Sequence, residues 1–399
     1  MLADVAIIGA GPYGLSIAAH LRAANVPFLI FGEPMENWRT RMPQGMHLKS
    51  DGFASSLFDP ERRLTLRQFC ADRGIPYADL GRPVALQTFC DYGMAFQKEM
   101  APSLDRRMVS LLEQVPEGFK LTLNDGQSVQ ARKVIVASGI SHFAYLPSEM
   151  DSLPREFCSH SAHNHDLSQY KDREVLVLGR GASSTDIAAL LVDQGASVEI
   201  VSRRPVIFHD PPGKQPRPWW QRLRRPNFGL GPSGRSALYT LLPGLFRYVP
   251  LRRRQHIVKN HLGPAAVYFI RSKLEAHVPM HSGYRFESAQ IKDDRIHAQF
   301  VHQDGSIRKF SAHHIIAGTG YQVDLKRLPF LNEALRSTMH LEGSYPALSR
   351  SFESSVPGLY FVGLPSAGTF GPLTRFAHGA GYTARKLSAH LRARRDASS

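Results

Sequence analysis

The chain has 399 residues, of which 43% are hydrophobic and 21% charged, and its formal net charge is +15 at pH 7. This length fits about two or three domains, and this composition excludes a largely disordered chain. No run of about eighteen apolar residues occurs, which excludes a helix that spans a membrane. The apolar segment after Asp4 leads into a glycine turn rather than a cleavage site, so we expect no signal peptide and a cytoplasmic protein.

The three cysteines exclude several kinds of site. Cys70, Cys90 and Cys158 are odd in number, lie far apart and form no Cys-x-x-Cys pair. We therefore expect neither a disulfide framework nor a zinc ribbon. The spacing also argues against a flavoprotein that exchanges dithiols, because that chemistry requires two neighbouring sulfurs.

A buried strand, a glycine-rich turn and a helix open the chain. Residues 5–8 are continuously apolar, as in a parallel strand covered on both faces, and the sequence Gly9-x-Gly11-x-x-Gly14 follows. Gly9 permits the tight turn, Gly11 lets the backbone approach a pyrophosphate, and Gly14 lets the helix pack on the strand. The N-terminus of the helix supplies N–H groups for the phosphates. This loop predicts a dinucleotide site.

An acid about twenty residues after the loop would bind the ribose of that dinucleotide. A second strand is predicted over residues 26–31, and Glu33 follows it, although Gly32 occupies the place where the acid is first expected. The alternative is that the glycine turn has only a structural role.

Short helices and a small β-meander are predicted next. Helices fit residues 66–73 and 83–100. From residue 106 onward, short alternating segments are separated by turn residues such as those at 124–126, which predicts antiparallel strands. The apolar run at 133–137 then indicates one more buried strand.

A second strand, glycine turn and helix begin near residue 174. The turn has the sequence Gly179-x-Gly181-x-x-Ser184, and it includes Ser183. This pattern again favours a dinucleotide, with the same roles for the glycines and the helix N-terminus.

The strand after the second loop ends in Ser202-Arg203, and no acid stands there to hold a ribose hydroxyl. A hydroxyl and a guanidinium suit a 2′-phosphate, which favours NADPH over NADH. The alternative is that Arg203 and Arg204 are solvated cations at a strand end.

A basic stretch follows, in which many Arg and Lys residues and one acid, Asp210, occur between residues 203 and 254. It interleaves cations with aromatic residues, as at 218–225, and predicts a helical insertion at about 205–265. An interfacial membrane patch or an acidic partner at residues 205–254 would suit this composition. A lid over a substrate tunnel and a solvated insertion are further alternatives. No nucleic-acid-binding fold accompanies the charge, so we expect no nucleic acid.

The rest of the chain repeats the earlier pattern. A meander is predicted over residues 284–310, a buried strand at 314–317, a further strand at 359–363 and a closing helix over 375–394. Together the elements predict an α/β protein with two Rossmann-like dinucleotide-binding domains, each with a parallel sheet and a small β-meander.

These features resemble the class B flavin-dependent monooxygenases, which include the flavin-containing monooxygenases, the Baeyer–Villiger enzymes and the lysine and ornithine N-hydroxylases. The resemblance covers almost the whole chain. It rests on Pro12 within the first glycine loop, Trp38 followed by Gly45-Met46, the segment His160-Ser161, the second glycine loop, and residues 317–321, which are close to the family's Ala-Thr-Gly-Tyr linker. Trp38 with Gly45-Met46, Asp59-Pro60 and Thr65-Leu66 is most similar to the N-hydroxylating branch, where this loop lies against the flavin ring.

The family's Phe-x-Gly-x-x-x-His fingerprint is present only as residues 157–163, with Ser159 in place of the glycine. Counting back from the second glycine loop selects His160 rather than His163, and both stay candidates for the interdomain hinge or the nicotinamide. These histidines and His165 lack a Cys or Glu partner at metal spacing, so we expect no metal site.

The resemblance implies an FAD-binding domain formed by residues 1–165 and 312–399, and an NADPH-binding domain formed by residues 166–311. The segment that follows Gly363 is expected to return to the flavin, with Gly371 allowing close approach, although Leu364 replaces the usual acid. The implied cofactor contacts are Gly9, Gly11, Pro12, Gly14, Glu33, Trp38, Gly179, Gly181, Ser183, Ser184, Ser202, Arg203, Gly320, Tyr321, Gly363 and Gly371.

The resemblance also implies a reaction. NADPH would reduce FAD, O2 would add at the flavin C4a position to give a (hydro)peroxyflavin, and oxygen would pass to a small nucleophilic substrate. N-hydroxylation is favoured over S-oxidation or Baeyer–Villiger oxidation. Met46, Lys49 and His160 are the candidate catalytic residues.

Two other functions stay open at this point. One is an NADPH:acceptor reductase that inserts no oxygen and docks a partner on the basic insertion. The other is a non-catalytic nucleotide-binding scaffold or redox sensor. Nothing in the sequence distinguishes an amine from a thioether or a ketone as the substrate.

Overall fold

The computed structural model describes residues 2–209, 228–231 and 233–396. Among these residues, no helix is both long and apolar enough to cross a membrane. The helices are α1 (Pro12–Ala23), α2 (Glu36–Thr40), α3 (Leu66–Asp72), α4 (Leu86–Met100), α5 (Ala182–Asp193), α6 (Gly234–Leu241), α7 (Leu251–Asn260), α8 (Arg271–His277), α9 (Glu333–Ser337), α10 (Ala367–Phe370) and α11 (Gly379–Asp396). The strands are β1 (Leu2–Ile8), β2 (Phe28–Phe31), β3 (Val109–Val115), β4 (Gly118–Leu123), β5 (Ser128–Val136), β6 (Cys158–His160), β7 (Glu174–Leu178), β8 (Ser197–Ser202), β9 (Met280–Ser282), β10 (Tyr284–Lys292), β11 (Arg295–His302), β12 (Ile307–Ala312), β13 (His314–Ala317), β14 (Leu341–Glu342), β15 (Tyr345–Pro346) and β16 (Leu359–Phe361).

The first sheet carries the first glycine loop at the end of β1. Strands β2, β1, β5 and β16 are parallel neighbours in that order, and β4 and β3 extend the sheet in antiparallel pairing. A single strand, β5, serves both parts, because residues 128–131 pair with β4 and residues 134–136 pair with β16. The predicted meander is therefore continuous with the parallel sheet.

The core of this domain follows from its apolar runs. Residues 5–8 of β1 are buried, and α1 is buried from Gly14 to Leu21 between the sheet and helices α4 and α11. Each fully buried Leu or Ile contributes about 1.5–3 kcal/mol to stability relative to an exposed one. The packed sheet and helix hold the intervening turn in a fixed position.

The second sheet has the parallel order β6, β13, β7, β8, β9, and α5 packs against β7 and β8. The meander β10–β11–β12 forms a sheet of its own. Strands β6 and β13 fall within the residue ranges predicted for the FAD-binding domain. Both strands pair with the second sheet. The sequence of a short buried strand does not reveal which sheet it joins.

The described part of the basic insertion is helical, as predicted. It contains α6, a 3-10 turn at Pro243–Tyr248, and α7. The aromatic and basic residues at 218–225 lie outside the described residues. The closing helix α11 begins at Gly379 rather than at residue 375, because a 3-10 turn at Pro372–Arg375 and an extended Phe376 precede it.

Candidate functional site

A cavity of about 1510 Å³ lies where the first sheet, α5, the insertion and the C-terminal segment meet. Gly9, Gly11 and Glu33 border it from the carboxyl ends of β1 and β2, and Ala182 and Ser183 border it from the start of α5. Proteins with parallel α/β sheets bind ligands beyond the carboxyl ends of their strands. The cavity is therefore the candidate site for cofactors and substrate.

The three glycines of the first loop have different roles. Gly9 has a φ of +111°, and a Cβ on it would collide with the Ala137 carbonyl. A Cβ on Gly14 would collide with the Gly9 carbonyl, so Gly14 lets α1 approach β1. Gly11 has a φ of −84°, which any residue adopts, and a side chain on it would enter open space beside the cavity. Gly11 leaves room for a ligand, whereas the fold itself requires Gly9 and Gly14.

Two other predicted FAD contacts, Glu33 and Trp38, also border the cavity. The Glu33 carboxylate accepts a hydrogen bond from Arg39 at 2.8 Å, and the Arg106 guanidinium is 3.8 Å from it. The Trp38 ring meets Phe89 edge-on, with ring centroids 4.8 Å apart. The acid at the end of β2 therefore borders the cavity, with part of its charge already paired.

The C-terminal segment closes one side of the cavity through Gly363, which follows β16. The Tyr13 hydroxyl in the first glycine loop lies 3.0 and 2.8 Å from the carbonyl oxygens of Thr374 and Phe376, and so ties the loop to this segment. Gly371 does not border the cavity. A Cβ on Gly371 would lie 2.9 Å from the ring of Phe246, a residue of the insertion. Gly371 therefore makes room for the insertion rather than for a flavin.

The second glycine loop contributes less of its length to the cavity than the first does. Ala182 and Ser183 line the cavity, whereas Gly179, Gly181 and Ser184 are not among the lining residues. From this unit the first two turns of α5, rather than the glycines of the loop, face the same space as the first glycine loop.

Ser184 replaces the third glycine of the second loop and is fully buried. Its hydroxyl lies 3.3 Å from the Leu178 carbonyl oxygen and 3.2 Å from that of Gly318. A Cβ on Gly318 would collide with this hydroxyl, so the glycine makes room for the serine. Ser184 was predicted to contact a cofactor, whereas its side chain packs between α5, β7 and the residue that follows β13.

The end of β8 presents the side chain of Arg203 but not that of Ser202. Ser202 is buried, and its hydroxyl donates to the Arg204 carbonyl at 2.7 Å. Arg203 is exposed, and its carbonyl accepts a hydrogen bond from Gln303 at 3.2 Å. Arg203 is therefore the candidate for a 2′-phosphate, and Ser202 stabilises the turn that carries it.

His160 lies behind the cavity rather than in it. Its Nε2 donates to the Gly320 carbonyl at 3.0 Å, its Nδ1 accepts from the Ala162 N–H at 3.1 Å, and burial lowers its pKa to about 4. The neutral ring joins β6 to the linker after β13, and its position does not support the predicted catalytic role. Tyr321 packs beside this ring and lines the cavity, whereas His163 is exposed and does not line it.

The other two candidate catalytic residues, Met46 and Lys49, line the cavity. Lys49 Nζ donates to the Ala265 carbonyl of the insertion at 2.9 Å. Asp186 of α5 and Arg375 of the C-terminal segment line the same cavity, and neither was among the residues predicted from the sequence. One feature of the sequence does indicate that Asp186 is unusual: it is the single acid directly before the apolar run over residues 187–192 of a buried helix.

Burial controls the charges of these residues. Asp186 Oδ1 is buried and has no hydrogen-bond partner among the described residues. Desolvation raises the pKa of Asp186 from 3.8 to about 7, although the nearby Lys49 cation opposes this rise. Burial also lowers the pKa of Lys49 and of Arg375. The cavity therefore holds a carboxyl group that can gain and lose a proton near neutral pH.

Buried arginines fix the insertion to the first domain. The Arg375 guanidinium donates to the carbonyl oxygens of Val258 at 2.7 Å and His261 at 3.1 Å. Arg254 pairs with Glu342 at 2.9 Å. The insertion thereby forms a wall of the cavity, and its lining residues include Phe228, Leu230, Leu262 and Val267. The described part of the insertion therefore lines the cavity that the first glycine loop also borders.

Within the described ranges, no group of three or more His, Cys, Asp or Glu side chains is placed to hold a metal ion. Cys70, Cys90 and Cys158 are buried and unpaired. Burial raises the thiol pKa of Cys90 and Cys158 to about 11, which disfavours reactive thiolates at these two positions.

Known proteins of two kinds resemble this chain in sequence. It is 31% identical over 196 residues to an uncharacterized CzcO-like oxidoreductase of Geobacillus kaustophilus, and the aligned region covers 48% of this chain and 51% of that protein. It is 27% identical over 206 residues to a ferredoxin–NADP reductase of Streptococcus sanguinis, and the aligned region covers 51% of this chain and 55% of that protein. The chain thus spans about half the length of the curated relatives it matches.

Solved structures match nearly the whole fold. An ornithine N-hydroxylase of Kutzneria sp. 744 has a TM-score of 0.77 at 15% identity, covering 99% of this chain and 100% of that one. An L-lysine 6-monooxygenase of Pseudomonas syringae has a TM-score of 0.74 at 16% identity, covering 98% and 99%. A flavin-containing monooxygenase of Stenotrophomonas maltophilia has a TM-score of 0.66 at 18% identity, with the same coverage. These similarities confirm the predicted fold with two dinucleotide-binding domains.

A family model described as pyridine nucleotide-disulphide oxidoreductase matches residues 6–224, which include both glycine loops. This match covers more than half of the chain. The chain therefore belongs to the pyridine nucleotide-disulphide oxidoreductase family, and its fold is similar to that of flavin-dependent monooxygenases of known structure.

Proposed function

We propose that this protein is an FAD- and NADPH-dependent monooxygenase that hydroxylates the nitrogen of a small amine. The observation that carries the proposal is the single cavity onto which the first glycine loop, the start of α5, the insertion and Asp186 all open. A flavin, a nicotinamide and a substrate can meet in such a space.

The first loop fits FAD on the geometry of this chain. Gly11 leaves open space beside the start of α1, where helix N–H groups and the helix dipole favour a pyrophosphate. Glu33 borders the same space at the end of β2, which suits a ribose. Trp38 and Met46 line the cavity further along the chain and are candidates to contact the ring system.

The second loop also suits NADPH, but fewer of its residues border the cavity. Ser183 borders the cavity, and Arg203 is exposed at the end of β8 with no acid between residues 202 and 209. A Cβ on Gly181 would lie 3.2 Å from Pro264, so the insertion flanks the approach to this loop. The exposed guanidinium is the feature that favours a 2′-phosphate.

When bound, FAD would accept a hydride from NADPH and react with O2 to supply the transferred oxygen atom. The chain's own contribution is to bind, to exclude water and to move a proton. A primary amine enters as an ammonium ion, and it must lose a proton before its lone pair can attack. The Asp186 carboxylate can accept that proton, because it lines the cavity and its pKa is about 7.

A reductase is the second candidate, because relatives matched over half of their length are named ferredoxin–NADP reductases. In that case, electrons would pass to an acidic protein on the basic insertion instead of to O2 and a substrate. The structural neighbours support the monooxygenase, since the ornithine N-hydroxylase and the L-lysine 6-monooxygenase match this fold with TM-scores of 0.77 and 0.74, above the 0.66 of a bacillithiol disulfide reductase of Staphylococcus aureus.

The deciding experiment measures the fate of the electrons. Purified protein is mixed with NADPH, O2 and a panel of amines, amino acids, sulfides and ketones, and product and H2O2 are both quantified. We expect a hydroxylamine to form in proportion to the NADPH consumed with at least one amine. Only H2O2 with every compound, together with rapid reduction of a ferredoxin, would favour the reductase instead.

Arg203→Ala tests the cofactor preference. We expect the KM for NADPH to rise on the order of tenfold, because a charge-assisted pair worth about 1.5 kcal/mol is lost, while the KM for NADH changes little. Steady-state kinetics with both cofactors measure the ratio. Arg204→Ala is the matched control, since Arg204 is the adjacent exposed cation. Equal effects of Arg203→Ala on the two cofactors would refute the assignment.

A further inference from the structure

A cluster of exposed apolar side chains covers the outer face of the insertion. We name it the outer stripe. Residues 238–251 hold six of the thirteen exposed large hydrophobic side chains among the described residues. The members of the outer stripe are Leu238, Leu241, Leu242, Leu245, Tyr248 and Leu251. Single exposed leucines are ordinary, whereas a contiguous group marks a contact surface.

The outer stripe is the outward side of a well-anchored segment. Ser236, Pro243 and Phe246 of the same segment are buried, while Leu241 is 62% exposed and Tyr248 is 78% exposed. An ion pair between buried Arg254 and half-buried Glu342 fixes the helix that follows. The leucines therefore face away from the part of the fold that the structure describes.

The charge around the outer stripe has one sign. Residues 228–274 contain eight Lys and Arg residues and no Asp or Glu. Arg235, Arg252 and Arg253 are exposed beside the leucines. A second copy of this chain would bring two positive surfaces together, so charge disfavours self-association through this face. An anionic surface is complementary to it.

We propose that the outer stripe docks this protein onto an anionic lipid bilayer. Leucines and a tyrosine suit the boundary between head groups and acyl chains, and flanking arginines suit lipid phosphates. Protein interfaces, by contrast, favour aromatic residues and Met at their centre, whereas five of the six side chains of the outer stripe are leucines. The inference does not depend on the proposed reaction.

Docking in this orientation would place one wall of the cavity against the bilayer. Ser233 and Ser236, at the start of α6, line the cavity from inside, while the leucines of the same segment face outward. The site would then lie one helix away from the lipid surface.

The test is co-sedimentation of the full-length, flavin-loaded protein with vesicles. Vesicles of phosphatidylcholine alone are compared with vesicles of phosphatidylcholine and phosphatidylglycerol, at low and high salt. We expect binding to the anionic vesicles, weaker binding to the neutral ones, and a loss of binding as salt rises. Equal, negligible binding to both kinds of vesicle would overturn the proposal.

Substitutions in the outer stripe test whether it is the surface that binds the vesicles. The double variant Leu241→Ser, Leu245→Ser should lower the affinity for anionic vesicles at least about tenfold, since two apolar anchors are lost. The matched control is Ile291→Ser, Ile307→Ser, which alters two exposed residues of the second-domain meander and should leave binding unchanged. Retained flavin content shows that both variants fold.

Two further outcomes would contradict the proposal. Unchanged vesicle binding in the Leu241→Ser, Leu245→Ser variant would place the contact elsewhere. A concentration-dependent dimer that the same variant abolishes, measured by light scattering, would assign the outer stripe to a second copy of the chain.

The arginines beside the outer stripe can be tested separately. The double variant Arg252→Gln, Arg253→Gln should weaken binding to the anionic vesicles and reduce the dependence of that binding on salt.

Discussion

Gly11→Val is expected to abolish the retention of FAD while leaving the fold intact. Gly11 has an ordinary φ of −84°, and a side chain on it would meet no atom of the protein within 4 Å. The added side chain would instead occupy the space beside the start of α1 that suits a pyrophosphate. An overlap costing about 3 kcal/mol lowers the affinity roughly a hundredfold. The ratio of flavin absorbance to protein absorbance after gel filtration measures the effect.

Gly14→Ala is the informative comparison for this prediction. Its Cβ would collide with the Gly9 carbonyl, so α1 would have to move away from β1. We expect a loss of about 2–3 kcal/mol in the free energy of unfolding. Gly11→Val should leave thermal unfolding of the flavin-free protein unchanged. A Gly11→Val protein that keeps its full flavin content would show that the first loop does not hold the pyrophosphate.

Asp186→Asn is expected to stabilise the flavin-free protein at pH 8 and to change its stability little at pH 4. Burial raises the pKa of Asp186 to about 7 in the folded chain, from 3.8 when solvated. Between these two values, the folded state holds a proton that the unfolded state has released. The free energy of unfolding therefore falls as pH rises from about 4 to about 7, and it is flat for this group above that range.

The size of this effect follows from the shift. A displacement of about three pKa units corresponds to about 4 kcal/mol, and water in the open cavity reduces this to roughly 2 kcal/mol. Urea unfolding of both proteins at several pH values between 4 and 8 measures the difference, and the subtraction removes the contribution of the histidines. Lys49 faces Asp186, so Lys49→Met should enlarge the effect by raising the Asp186 pKa further.

Asp193→Asn provides the control for Asp186→Asn. Asp193 is the last residue of the same helix, and it pairs at the surface with Lys273 at 2.5 Å. Its replacement should change stability by less than about 1 kcal/mol at every pH. Parallel stability profiles for the native protein and Asp186→Asn would mean that Asp186 is solvated in the folded protein.

The sequence was most informative where a function depends on neighbouring residues. A dinucleotide loop needs a strand, a turn and a helix start within a short stretch, and both glycine loops lie in that arrangement in the fold. The apolar runs of β1 and β7 were likewise predictable, because burial on both faces leaves a continuous pattern.

Other positions depend on contacts that a local pattern does not record. Ser184 occupies the place of a glycine only because Gly318, far along the chain, has no side chain. Gly371 makes room for Phe246 of the insertion, and His160 binds the Gly320 carbonyl. Each was a reasonable cofactor or catalytic candidate by position, and each makes its observed contacts with a distant segment of the protein.

By itself, the sequence determined two Rossmann-like units, their glycine loops and the basic character of the insertion, since these are properties of contiguous residues. Only the tertiary structure decided that β6 and β13 join the second sheet and that the insertion covers the cavity. It also decided that Lys49, Asp186 and Arg375 line the same cavity. The physical reason is that periodicity reports whether a residue is buried, whereas the partner it is buried against depends on chain segments more than a hundred residues away.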